Sequence, residues 1–90
     1  MSDLEAYLQQ NDARFVDDLV DLLRIPSISS LPDHAHHLTN AATWVAARCK
    51  AAGLQDVEIL STAGHPAVFA QWLGAPEAPT VLIYGHVDVQ

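Results

Sequence analysis

The first quarter of the chain places apolar and acidic residues at helical spacing. The pattern Ser2-x-x-Glu5 has the form of a capping box, in which each side chain can bond the other residue's backbone N–H. Asn11-Asp12 is a point at which the helix could break, and Pro26 ends it because proline disfavours a helical residue before it. The pattern predicts an amphipathic helix that buries its apolar side, which is made of Leu4, Leu8, Phe15, Val16, Leu19, Val20, Leu22 and Leu23.

Residues 27–37 have the composition of a loop, with prolines at 26 and 32 and three serines. The segment Asp33-His34-Ala35-His36-His37 includes two histidines three positions apart, a spacing that could chelate a metal on a helix. Prolines and serines precede these histidines, and no cysteine is near them in the sequence. A solvated loop leading into a helix is therefore the favoured interpretation over a structural metal site.

A second helix is predicted to begin after a cap at Thr39 or Asn40. Its many alanines allow close packing, and Gly53 is well placed as the left-handed residue that ends it. The single cysteine, Cys49, lies on or beside the apolar face with no basic residue positioned to activate it, so it is interpreted as a packing residue. The other apolar positions of this face are Trp44, Val45, Ala52 and Leu54.

Three strands are predicted to follow, over residues 57–60, 67–73 and 80–84. The connections between them are short and rich in turn residues, which favours antiparallel neighbours. Residues 81–84 of the last predicted strand are apolar without alternation, as in a strand that is covered on both faces in an α/β sheet. The predicted fold class is α/β, with two N-terminal helices and then three strands.

Charge and composition exclude several function classes. The formal net charge is −7, and residues 1–33 carry seven acidic side chains against two arginines, which opposes binding to nucleic acid or to an anionic membrane. No apolar run approaches the roughly 18 residues of a membrane span, and the acidic start does not resemble a secretory signal. One cysteine excludes an internal disulfide and fits a reducing compartment, so a cytoplasmic location is expected.

The candidate chemistry lies in residues 85–90, directly after the apolar run. Residues i and i+2 of an extended backbone project to the same side, so His86 and Asp88 could meet at one site. Asp88 would then be either a direct metal ligand or the acceptor for the far ring N–H of a metal-binding His86. A His-x-Asp pair alone is also consistent with polar residues that form a turn.

These residues carry a resemblance to a known family. Tyr84-Gly85-His86-Val87-Asp88-Val89-Gln90 resembles the first metal-binding motif of the aminoacylase, carboxypeptidase G and dipeptidase family of co-catalytic zinc hydrolases. The likeness extends backward over nearly the whole chain. Residues 15–30, which include Arg24-Ile25-Pro26-Ser27-Ile28-Ser29, look like the family's first helix and loop, residues 41–54 like its second helix, and residues 64–70 like the strand before the motif.

The resemblance implies roles for individual residues. His86 corresponds to a ligand of one of two zinc ions, with manganese or cobalt as possible replacements, and Asp88 to the catalytic aspartate that orients this histidine. His65 matches a turn position and is not expected to be a ligand. The implied reaction is hydrolysis of an amide bond in a dipeptide or short peptide by water activated between two metals, with a glutamate as general base. The Gly-His-Pro turn and the Asp-Val-Gln ending favour the dipeptidase branch, although Val87 is a mild departure, and N-acyl-amino-acid deacylases stay open.

The family's remaining ligands, its general base and its dimerisation domain would follow Gln90. We therefore expect residues 1–90 to be the N-terminal part of a three-layer α/β/α catalytic domain, inactive as it stands, from an enzyme that is a homodimer at full length. The rival hypothesis is a complete small α/β binding module. A reading frame that continues into a bridging aspartate and a Glu-Glu pair would support the enzyme, and a stop codon after Gln90 would exclude it.

Overall fold

A computed structural model describes residues 2–90 and shows a mixed α/β arrangement. Helix α1 spans Asp3–Leu23, a 3-10 helix spans Pro32–His34, and helix α2 spans Ala35–Ala51. Strands β1 (Gln55–Leu60) and β2 (Ala67–Gln71) follow and form one two-stranded sheet. The predicted order of two helices before the strands is confirmed, but residues 2–90 contain two strands where three were expected.

Helix α1 begins at the predicted cap and continues without a break. The Ser2 hydroxyl accepts a hydrogen bond from the backbone N–H of Glu5 at 3.1 Å. Asn11 does not interrupt the helix, because its amide donates to the carbonyl of Tyr7 at 2.9 Å and its oxygen accepts two bonds from Arg14. The side chain that was expected to compete with the backbone is thus satisfied along the helix surface.

The apolar side of α1 is not buried as predicted. No residue of this helix is fully buried, and Leu4, Leu8, Val16, Leu19 and Leu23 are all exposed. Its one ion pair with α2 joins Asp18 to Arg48 at 3.2 Å, and a partly exposed pair of this kind contributes at most about 1 kcal/mol. An apolar stripe predicts a helix but does not supply the surface that covers it.

No helix within residues 2–90 combines the length and apolar character needed to cross a membrane.

Helix α2 begins four or five residues before the predicted cap. Pro32 stands at the start of the 3-10 helix, where its missing N–H costs nothing, and the turn leads directly into the α-helix at Ala35. The ring Nδ1–H of His34 donates to the carbonyl of Pro26 at 3.0 Å. The composition of residues 27–37 predicted a loop, but its second half forms the 3-10 helix and the start of α2.

The end of α2 follows the prediction closely. Gly53 has a φ of 90°, the left-handed conformation that glycine adopts without a steric penalty. Its N–H donates to the carbonyl of Lys50, and the N–H of Leu54 donates to that of Cys49, each at 3.0 Å. This pair of bonds is a Schellman motif, which satisfies carbonyls that the helix leaves free.

The core is small and lies on one face of α2. Its buried apolar residues recur at helical spacing and are Leu38, Ala41, Ala42 and Ala46. Helix α2 contacts both strands, so its small side chains let the sheet approach closely. The radius of gyration is 15.1 Å, against about 12 Å for a compact domain of this length. Residues 2–90 therefore form an open arrangement around one buried face of α2.

The sheet is antiparallel, as the short connection predicted. Ile59 lies opposite Val68 and Leu60 opposite Ala67, and the register shifts near Asp56, which has a φ of 53°. The Asp56 carboxylate accepts a hydrogen bond from the side chain of Gln71 at 2.5 Å. This bond joins the two strands at the end where the backbone pairing is irregular.

The prediction of a third strand over residues 80–84 is wrong. This segment has no regular secondary structure, and the side chains of residues 81–84 are 78–90% exposed. A strand exists only where a neighbouring backbone supplies hydrogen bonds, and within residues 2–90 β1 and β2 pair with each other. The apolar run thus indicates a preference for burial that the described part of the chain does not meet.

Three histidines at the start of α2 predict a pH-dependent stability. His37 is half-buried beside His36 and His34, with ring centroids 3.9 and 5.4 Å away. Burial, and then the charges of His36 and His34, lower the pKa of His37 from its usual value. The folded state thus binds fewer protons here than the unfolded state, so stability is full above about pH 6.5 and falls as the pH drops through that value.

We expect His37→Gln to reduce the loss of thermal stability between pH 7.5 and 5.5, because glutamine does not titrate. Thermal denaturation followed by circular dichroism at each pH measures the effect. Thr39→Gln, at an exposed position of the same helix, is the control and should keep the pH dependence of the wild type. An unchanged slope in His37→Gln would show that the stability change comes from other groups.

Candidate functional site

Two segments that are 60 residues apart in sequence form the candidate site. Residues 27–29 follow α1, and residues 86–89 follow the exposed apolar run. Ile28 and Val89 form an isolated parallel bridge, in which the N–H of Val89 donates to the carbonyl of Ser27 at 3.0 Å. The Ser27 hydroxyl donates to the carbonyl of Val87 at 3.3 Å. Ser27 therefore binds the backbone at both neighbours of Asp88, Val87 and Val89.

The Ser27 side chain, which bonds the Val87 carbonyl, is completely buried. Its exposed fraction is 0%, and it is the one fully buried polar side chain among residues 2–90. A buried hydroxyl without a partner would be costly, so the bond to Val87 stabilises the contact between the two segments. The sequence prediction placed Ser27 in a solvated loop and gave it no role.

His86 and Asp88 are brought together in the structure. Nδ1 of His86 lies 2.8 Å from Oδ1 of Asp88, so the ring N–H donates to the carboxylate. The His86 side chain is 75% exposed and that of Asp88 is 34% exposed. This geometry leaves Nε2 of His86 accessible and directs the carboxylate to the other side of the ring.

Ser29 completes the environment of Asp88. Its hydroxyl donates to Oδ2 of Asp88 at 2.5 Å, so each carboxylate oxygen has its own donor. The bond from Ser29, and then the bond from His86, lower the pKa of the Asp88 carboxyl, and partial desolvation opposes them. Asp88 is accordingly an ionised acceptor at neutral pH. The sequence prediction gave Ser29 no role. The alternation in Ser27-Ile28-Ser29 was a usable signal, because it places the two serines on the same side of an extended segment.

His65 lies at the edge of this cluster in a different role. Its Nε2–H donates to the backbone carbonyl of Ser29 at 3.0 Å, and its own carbonyl accepts the hydroxyl of Thr62. The N–H of Gly64 donates to the same Thr62 oxygen, which closes the turn between β1 and β2. His65 thus supports the loop that contacts Asp88.

The described residues do not make up a complete metal site. Within residues 2–90, no group of three or more histidine, cysteine, aspartate or glutamate side chains is arranged to hold a metal ion. That result includes His34 of the 3-10 helix and His36 and His37 of α2. The donor chemistry at residues 86–88 fits one metal ligand and its orienting carboxylate, since imidazole is a common zinc ligand and its far N–H is usually bound by an acceptor.

Comparison with known proteins gives one informative similarity. The chain is 30% identical over 82 residues to a cysteinylglycine-S-conjugate dipeptidase from Corynebacterium striatum. The aligned segment covers 91% of this chain and 18% of that dipeptidase, so the chain spans about a fifth of its relative's length. No family model and no solved structure matches. A distant similarity to a peptidase-like hydrolase thus extends over almost all of these residues.

Proposed function

We propose that residues 1–90 belong to a metal-dependent hydrolase that cleaves the amide bond of dipeptides or short peptides. The observation that carries this proposal is the His86–Asp88 hydrogen bond in a chain that resembles a dipeptidase over 91% of its length. The similarity alone suggests a peptidase-like hydrolase. The hydrogen bond between His86 and Asp88 supports the finer proposal that His86 binds a metal.

In this proposal His86 is one metal ligand and Asp88 is the residue that positions it. With Nδ1–H donated to Asp88, the lone pair of the neutral imidazole lies on the exposed Nε2. The negative charge of Asp88 makes that nitrogen a better donor. A bound zinc ion would supply Lewis acidity, which lowers the pKa of water and polarises a carbonyl.

The proposed substrate class follows from the relative. That protein is named for S-conjugates of cysteinylglycine, so S-substituted cysteinylglycine is the first candidate substrate and other dipeptides are the second. N-acyl amino acids are the alternative substrate class, because the motif at residues 84–90 also resembles that of deacylases. The other ligands and the general base would come from sequence outside these residues, as would the dimer interface.

The test uses the complete gene product, purified with and without a chelator. We expect hydrolysis of S-substituted cysteinylglycine or of another dipeptide, its loss with chelator, and its recovery when zinc, manganese or cobalt is added. N-acetyl amino acids are assayed in parallel to separate peptidase from deacylase. Hydrolysis of neither class, by a folded and metal-loaded protein, would reject the proposal and favour a non-catalytic binding module.

A further inference from the structure

The Asp88 carboxylate is held by two donors on opposite oxygens. The His86 ring N–H occupies Oδ1 and the Ser29 hydroxyl occupies Oδ2. A carboxylate with one donor can rotate about its side-chain bonds and exchange its oxygens, whereas two donors from different segments define one orientation. Ser29 therefore restricts the group that in turn orients His86.

The backbone around Ser29 is itself restrained. Ile28, its neighbour, bridges to Val89, so residue 29 is placed beside residue 88 by main-chain pairing. From the other side, the ring of His65 donates to the Ser29 carbonyl at 3.0 Å. Ser29 is half-buried, so water competes less for its hydroxyl than it would at an exposed position.

We propose that Ser29 is a positioning residue for His86. Its hydroxyl fixes the orientation of Asp88, which then holds the imidazole in the tautomer with a proton on Nδ1 and a free lone pair on Nε2. The functional meaning of that tautomer rests on the proposed metal-dependent hydrolase. The tautomer itself is a property of residues 29, 86 and 88 and can be measured without any metal.

The test is the tautomer of His86 in the complete gene product, prepared without metal and labelled with ¹⁵N-histidine. Long-range ¹H–¹⁵N spectra at pH 8, above the usual imidazole pKa of about 6.5, distinguish Nδ1–H from Nε2–H. His86→Gln assigns the signals. We expect mainly Nδ1–H in the wild type and a shift to mainly Nε2–H in Ser29→Ala, because Asp88 then loses its second donor.

Two variants control for indirect effects. Ser29→Thr keeps a hydroxyl and should retain the Nδ1–H form, and Ser30→Ala removes an adjacent exposed hydroxyl and should do the same. If Ser29→Ala loses helical circular dichroism, Ser29→Cys replaces it, since a thiol of similar size is only a weak donor. A folded Ser29→Ala or Ser29→Cys chain with the wild-type tautomer would overturn the proposal.

The outcome separates this inference from the proposed function. If Ser29→Ala changes the tautomer but the complete gene product hydrolyses neither dipeptides nor N-acyl amino acids, the positioning role stands and the hydrolase is rejected. If hydrolysis is found but the tautomer does not respond to Ser29→Ala, the hydrolase stands and Ser29 is not the positioning residue.

Discussion

Replacing His86 with alanine in the complete gene product is expected to lower metal-dependent dipeptide hydrolysis by at least about 100-fold. Loss of a residue that only orients a metal-binding histidine typically costs about 10–100-fold, and removal of the ligand itself costs more. Asp88→Asn is expected within the 10–100-fold range, because it keeps the shape of the side chain but loses the charge that supports His86. Initial rates at saturating and limiting substrate measure both effects.

The matched controls are two other histidines. His36→Ala removes an exposed imidazole from the first turn of α2 and should leave the rates unchanged. His65→Ala should change them by only a few-fold, because His65 bonds the Ser29 backbone and not the His86–Asp88 pair. Full activity in His86→Ala would show that residue 86 is not the metal ligand. A larger loss in His65→Ala would show that His65 does more than support the backbone at Ser29.

The second large effect concerns the exposed apolar run. We expect the 90-residue chain to self-associate at micromolar concentration, because residues 81–84 present four adjacent apolar or aromatic side chains that are 78–90% exposed. Contiguous apolar surface of this kind drives association in water at roughly 25 cal/mol per Å² buried. Sedimentation velocity should show species above the monomer mass of 9.7 kDa.

The double substitution Leu82→Lys and Ile83→Lys should shift the chain toward monomer at the same concentration. It places two charges where association would have to bury them. Thr80→Lys with Gln90→Lys adds the same charge outside the apolar run and should keep the association of the wild type. A wild-type chain that sediments as one monomeric species would contradict the prediction and would favour an independent binding module.

Part of the fold is predictable because it depends on neighbours in sequence. The cap at Ser2, the left-handed residue at Gly53 and the antiparallel pairing across residues 61–66 each require contacts within a few positions. The start of α2 was placed too late because the 3-10 turn depends on a bond from His34 back to Pro26. Eight residues separate these two groups, and no periodic pattern connects them.

The sequence by itself determined the existence and order of the two helices and the hairpin, though not the start of α2, and identified residues 86 and 88 as candidate chemistry. The tertiary structure alone decided that Ser27 and Ser29 hold the backbone and the carboxylate of Asp88, because these contacts join residues about 60 positions apart. It also decided that most of the apolar side of α1 and all of residues 80–84 stay exposed. An apolar pattern states that a segment favours burial, but burial needs a covering surface, and only the folded chain shows where one exists.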